Sequence, residues 1–248
     1  MEKIIAVVSG KGGVGKTTFV SNIGLALAEF NKNAVVVDAD MTTANLGLQL
    51  GLYQFPMGLQ DALEGNINVS DAVYTHQSGL KVLPASISLN YLHKNPSPYR
   101  LKSLLSDLDG MVVIDSPPGL GKEVFLVLKA CTDVLVITNP EIPAVTDALK
   151  VIRVARELKK EPMGIIVNRV KDSYELRSSE IEAMCEAPVI GTIPEDRAVK
   201  RSLFEKTPVM THRPYSSASV AIKKIAANLI GESYTPPKFL ALRNLVTR

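Results

Sequence analysis

The sequence predicts an α/β fold: a single P-loop-type domain on a mostly parallel central sheet, with helices flanking both faces. Three observations carry that prediction. Short apolar runs rich in β-branched residues recur along the 248 residues. Helix-length amphipathic stretches separate them, which is the pattern of parallel strands joined by crossovers. The first run passes through a glycine-rich loop into the first helical stretch.

Taken in order, IIAVV (4–8) is the first strand and 16–30 the first helix. AVVVD (34–38) is the second strand, followed by a helix over 58–64. GLKVLPA (79–85) precedes a helix over 97–108, and MVVID (111–115) precedes one over 121–130. DVLVITN (133–139) leads to 143–160, and GIIVN (164–168) to 175–186. PVIGTI (188–193) is the last strand, with helices over 196–205 and 216–231. These strand runs are continuously apolar and not alternating, as befits strands covered on both faces. Ligands of such sheets lodge outside the carboxyl ends of the strands, so chemistry is expected just after them. The domain is expected to span 1–231, with a proline-bearing linker over 232–237 and a short tail over 238–248.

Composition narrows the function. Apolar residues make up 46%, enough to fill a core and to exclude a largely disordered chain. The 28 Lys and Arg against 25 Asp and Glu leave a net +3, which does not by itself mark a nucleic-acid binder. Cys131 and Cys185 are far apart and form no CxxC pair. They are expected as buried apolar residues, not as a disulfide, zinc or redox site. No run approaches the ~18 apolar residues of a membrane span. Met1–Val8 is too short for a signal peptide, so a cytoplasmic protein is expected.

SGKGGVGKTT (9–18) fits G-x-x-x-x-G-K-[ST] through Gly10, Gly15, Lys16 and Thr17. The glycines let backbone N–H groups of Gly13, Val14 and Gly15 turn towards phosphate oxygens, and the helix N-terminus adds partial positive charge. Lys16 is placed to reach β and γ phosphates, and the Thr17 hydroxyl to ligate Mg²⁺. Gly12 and Thr18 complete the binding loop. VVVDAD (35–40) ends one apolar strand in Asp38 and Asp40, and VVIDSPPG (112–119) ends another in Asp115. Magnesium takes oxygen ligands and keeps several waters, so one or two such carboxylates suffice. The segments 38–48 and 115–124 follow these strands and are candidate switch loops. IIVNRV (165–170) ends in Asn168, whose amide suits the edge of adenine.

With Lys11 inside the phosphate loop, the motif resembles the deviant form K-G-G-x-G-K-[ST]-[ST] of the deviant Walker A ATPases, the MinD/ParA superfamily. GKGGVGKTT, VVVDAD, NLGLQLGL, DSPPGLG, VNRV, IPED and the run beginning PVMTHRPYSS match the MinD-like branch in order, archaeal forms most of all, over about residues 3 to 231. The resemblance implies an ATP-hydrolysing switch that uses ATP, ADP and Mg²⁺ and forms a homodimer when ATP is bound. It assigns Lys11 a reach across that dimer to the partner's nucleotide. Asp38 and Asp115 become magnesium-side carboxylates, and Asp40 the residue that orients attacking water. Asn168 with Pro194 and Glu195 of the IPED loop would frame the base. MTTANLG after Asp40 lacks the acidic and arginine residues of bacterial MinD, and DSPPG leans towards ParA, so the activating or cargo protein stays open.

In the tail, helical spacing puts Phe239, Leu242, Leu245 and Val246 on one face, with Lys238, Arg243 and Arg248 supplying charge. This is similar to the membrane-targeting helix of MinD, and implies reversible association with an anionic membrane. Burying four such side chains gives at best ~6–12 kcal/mol. Ordering eleven residues costs about 1–2 kcal/mol each. One tail should therefore bind weakly, and two on a dimer far better. A helix packed on its own domain is the competing expectation for the tail. The competing function is a ParA-like ATPase on non-specific DNA, with Arg153, Arg156 and Lys160 on one helix face and Lys200, Arg201, Lys223 and Lys224 adding charge. Glu157 and Glu161 lie within pairing distance of the first group, which weakens that alternative.

Overall fold

In the computed structural model, the described residues are 3–41, 43–86, 96–171 and 174–238. The tail positions Phe239, Leu242, Leu245 and Val246 lie outside them. The described residues form one eight-stranded sheet in the order β3-β4-β2-β5-β1-β6-β7-β8. Its strands are β1 (Ile4–Val8), β2 (Ala34–Asp38), β3 (Tyr74–Thr75), β4 (Lys81–Leu83), β5 (Met111–Asp115), β6 (Asp133–Thr138), β7 (Pro162–Val170) and β8 (Val189–Pro194). Every neighbouring pair is parallel except the edge pair β3 and β4.

Ten α-helices are described: α1 (Lys16–Glu29), α2 (Leu46–Gln49), α3 (Leu59–Glu64), α4 (Pro98–Ser106), α5 (Lys122–Ala130), α6 (Ile142–Glu157), α7 (Ser178–Cys185), α8 (Arg197–Phe204), α9 (Val209–His212) and α10 (Ser217–Leu229). The strand side chains alternate between two apolar layers, although both layers are buried. Ile4, Ala6 and Val8 of β1 pack with α3 to α7, and Ile5 and Val7 pack with α1, α2, α9 and α10. That is the two-sided covering the continuous apolar runs required.

The structure adds short elements that no local pattern announced: α2, α9, the strand β3 and a 3-10 turn over Val69–Ala72. GLKVLPA narrows to the three residues of β4. Each addition is held from a distance. Asn22 of α1 accepts the Met210 N–H at 2.9 Å, fixing α9. Tyr74 exchanges hydrogen bonds with the Met57 backbone, fixing β3 at the edge. Asp196 caps α8 at Ala198 N–H and also accepts from Ser217 and Ala218, so one carboxylate ties the starts of α8 and α10. Those donors outweigh burial and hold its pKa below the usual value. Cys131 and Cys185 are both buried free thiols, as expected. The stretch expected as a linker lies on the body: Tyr234 packs edge-on against Phe30 at 5.9 Å, and Glu232 pairs with Lys32 at 2.7 Å.

Candidate functional site

Sheet order builds the site. β5 lies between β2 and β1, and the register pairs Asp38 with Asp115 and Asp115 with Val7. The carboxyl ends of these strands therefore set Asp38, Asp115 and the start of the 9–18 loop side by side. Gly15 is the N-cap of α1 in a left-handed conformation, φ 93°, and no side chain caps the helix. The first-turn N–H groups, usually met by a capping side chain, are left to face the cavity. Two glycines are sterically required. A Cβ at Gly10 would strike the Asp147 backbone of α6, and one at Gly15 would strike the Asn168 amide.

Lys16 reaches Asp115 at 2.6 Å, with both side chains almost wholly buried. Thr17, the next residue of α1, also favours the charged form of the same carboxylate. Burial pushes the Asp115 pKa up, and Lys16 opposes it. Asp38 is pushed up to about 8, first by burial and then by the Asp115 charge, against hydrogen bonds from Leu46 and Asp40. Its oxygens accept the Asp40 N–H and the Leu46 N–H, each at 3.1 Å, so this carboxylate anchors the segment that opens α2. Asp40 accepts from both the N–H and the hydroxyl of Thr43. The site thus gathers three carboxylates around one ammonium.

Such a donor set, a hydroxyl with carboxylates at strand ends, fits a hard cation such as Mg²⁺. The Lys16 ammonium already stands there as the cation that Asp115 needs. Among the described residues no cluster of His, Cys, Asp and Glu has the form of a metal site. The oxygen set here counts a threonine hydroxyl and leaves room for phosphate and water, which that pattern does not cover.

Two adjoining cavities meet at the loop. One, of about 280 Å³, is lined by Gly12 to Thr18 with Asp40, Pro118 and Arg169. The other, of about 260 Å³, shares Gly15, Thr18 and Arg169 and reaches Asn168, Pro194 and Glu195. The structure thus brings the expected base residues to the same opening as the phosphate loop. Asn168 donates to the Val14 carbonyl at 2.7 Å, so the amide also braces the loop. The Glu195 N–H bonds the Val170 carbonyl, and its side chain pairs with Lys200 at 2.9 Å.

Lys11 pairs with Glu141 at 3.5 Å, both partly exposed. Sequence reasoning named Lys11 but missed Glu141, and it missed Asn139 as well. Both stand at the β6–α6 junction and line the second cavity. The available signal was Asn139, a polar amide closing the strand run DVLVITN.

The comparisons agree with this geometry. A family model described as the CobQ/CobB/MinD/ParA nucleotide binding domain matches residues 5–209. An uncharacterized ATP-binding protein of Methanocaldococcus jannaschii is 42% identical over 93% of this chain and 88% of its own. The septum site-determining protein MinD of Pyrococcus horikoshii, complexed with Mg-ADP, has a TM-score of 0.86 at 30% identity, covering 98% of this chain and 99% of that one. A chain of the MinC:MinD cell division protein complex of Aquifex aeolicus has a TM-score of 0.83 at 29% identity, over 95% and 98%.

Proposed function

The chain belongs to the CobQ/CobB/MinD/ParA nucleotide-binding family, and from that membership we propose that it is a MinD-like ATP-dependent switch. It binds ATP or ADP with magnesium, dimerises with ATP, and returns to monomer after hydrolysis to ADP and phosphate. The observation that carries the reading is the buried Lys16–Asp115 pair beneath an uncapped helix start. An ammonium and a ring of free N–H groups converge there on a cavity of triphosphate chemistry.

The residues then take these parts. Gly10, Gly12, Gly13, Val14 and Gly15 present N–H groups to phosphate, and Thr18 continues the first turn. Lys16 leaves Asp115 for the β and γ phosphates. Thr17, Asp38 and Asp115 would hold magnesium. Magnesium, when bound, neutralises charge on the phosphoryl oxygens. Asp40 orients the attacking water for in-line displacement, and positioning is most of the catalysis in this chemistry. Asn168, Pro194 and Glu195 frame adenine. Lys11 exchanges Glu141 for the nucleotide of a second copy.

The output proposed is spatial regulation at the inner face of the cell membrane, such as placement of a division site. Phe239, Leu242, Leu245 and Val246 would supply the reversible grip, doubled in the dimer. The likeness to a MinC:MinD complex supports a protein partner that reads the dimer. No described helix is long and apolar enough to cross a membrane, so a grip of this kind would be peripheral.

The test is light-scattering mass with ADP and with ATP for the native protein and Asp40→Ala, followed by sedimentation with anionic vesicles. The native chain should be monomeric with ADP. Asp40→Ala with ATP should stay dimeric and co-sediment, and a 1–236 truncation should dimerise yet remain in the supernatant. Nucleotide-independent mass, or vesicle binding untouched by truncation, overturns the proposal.

A further inference from the structure

We propose that Asn139 is a base-reading residue, its side-chain amide taking the amino-bearing edge of an adenine held beside β6 and β7. The inference rests on the nucleotide-switch reading and adds a residue to it. Thr138 of β6 pairs with Val167 of β7. The next residues are Asn139, just past the end of β6, and Asn168, close to the end of β7. Both therefore sit near the carboxyl ends of adjacent parallel strands, where ligands of open α/β sheets lodge.

Asn139 is 7% exposed, lines the 260 Å³ cavity, and among the described residues its Oδ1 accepts no hydrogen bond. Folded proteins seldom leave a buried carbonyl oxygen without a donor, and those that persist tend to have a use. The backbone around it is committed: the Asn139 carbonyl accepts the Glu141 N–H at 2.8 Å and the Thr138 hydroxyl at 3.3 Å. The side chain is thus held at the cavity wall while the main chain turns into α6. Asn168 spends one of its two Nδ2 hydrogens bracing the Val14 carbonyl, so a second amide at the same opening adds a base-facing acceptor that is not tied to the loop. The orphan atom is an acceptor, so it requires a donor. The 6-amino group is the donor that adenine carries on its edge, and asparagine is a well-matched reader of that edge.

The experiment is titration calorimetry with three probes, each with magnesium: ADP, the same diphosphate of purine riboside lacking the 6-amino group, and inorganic tripolyphosphate. Native protein should bind ADP about tenfold better than the deamino analogue. Asn139→Ala and Asn139→Leu should lose about that tenfold on ADP, keep the analogue within about twofold, and leave tripolyphosphate unchanged. Asn139→Leu should also raise the melting temperature of the nucleotide-free protein, since it replaces an orphan acceptor with apolar atoms of similar shape. Equal losses on both diphosphates, or no loss on ADP, would overturn the assignment and leave the nucleotide switch standing. Native protein that binds ADP no better than the analogue would do the same. Native protein that binds neither would remove both.

Discussion

Replacing Lys16 by alanine removes the ammonium that lies 2.6 Å from Asp115. What remains is Asp115 with Asp38 as its register partner and Asp40 adding its charge, all buried. Removing one partner of a buried ion pair costs about 3–5 kcal/mol, because the survivor stays desolvated and unpaired. For a domain of this size each kcal/mol shifts the melting temperature by about 2–4 °C, so the deficit should be roughly 6–20 °C at pH 8. The deficit must depend on pH. Burial already raises Asp115 above 3.8 while Lys16 lowers it, so without Lys16 the carboxyl keeps its proton to higher pH. Asp38, its register partner, is already pushed up to about 8 in the native protein, first by burial. The folded variant then binds more protons than its unfolded chain above pH ~4, and its stability falls as pH rises. Thermal unfolding by circular dichroism, without nucleotide or magnesium, should give a gap between variant and native protein that is small at pH 5 and widens to pH 8. A gap that stays constant with pH, or a variant as stable as the native protein at pH 8, would refute the idea of a carboxylate cluster held by one lysine.

Lys11→Ala should leave ADP affinity within about threefold, because the Glu141 contact it loses is exposed and such pairs contribute little. ATP-dependent dimerisation should vanish, as read by light scattering. Gly15→Ala forces a Cβ into the Asn168 amide at a left-handed backbone position, and should cost about 1–3 kcal/mol by chemical denaturation, with loss of nucleotide binding by calorimetry. His76 is buried, its Nδ1 bonded to Ser78, and burial lowers its pKa below 6.5. The unfolded chain takes up a proton that the folded chain resists, so stability should be lost as pH falls below about 6.5. His76→Asn keeps an acceptor near the Ser78 N–H and should flatten that part of the melting profile.

What could be read from sequence was whatever depends on neighbours in the chain. IIAVV, AVVVD and MVVID announce buried strands by composition alone, and a lysine and threonine after a glycine loop have few other uses. The rest depends on contacts across the chain. Four residues from Leu46 to Gln49 cannot sustain a helix alone, and α2 exists because Asp38 holds the Leu46 N–H. β3 is two residues long and depends on β4 and on the Tyr74 hydroxyl. Glu141 became visible only when β6 and β1 were set side by side, which brings the β6–α6 turn to the phosphate loop. The proline-bearing stretch after α10 reads as a spacer from its composition. Its tyrosine and glutamate instead meet Phe30 and Lys32, at the far end of the helix that begins at Lys16.

Charge pairing bears on the DNA-binding alternative that the sequence left open. A polyanion is held by cations free to replace its counterions. Arg156 is engaged by Glu161 and Glu186, and Lys160 donates to the Cys131 carbonyl. Lys200 pairs with Glu195, Arg201 with Glu205, and Lys223 is buried against Glu29. Each exposed pair contributes little to stability, yet each also cancels a charge that DNA would need. Among the described residues, pairing with carboxylates neutralises Arg156, Lys200, Arg201 and Lys223. That leaves Arg153 on α6, Lys160 just past it and Lys224 on α10 to carry the basic character in a chain of net +3. A strong grip on duplex DNA would therefore have to come from elsewhere, and retention on DNA-cellulose should be weak at 0.1 M salt even with ATP. Tight ATP-dependent retention that falls steeply with salt would reverse this ordering and move the switch from membrane to chromosome.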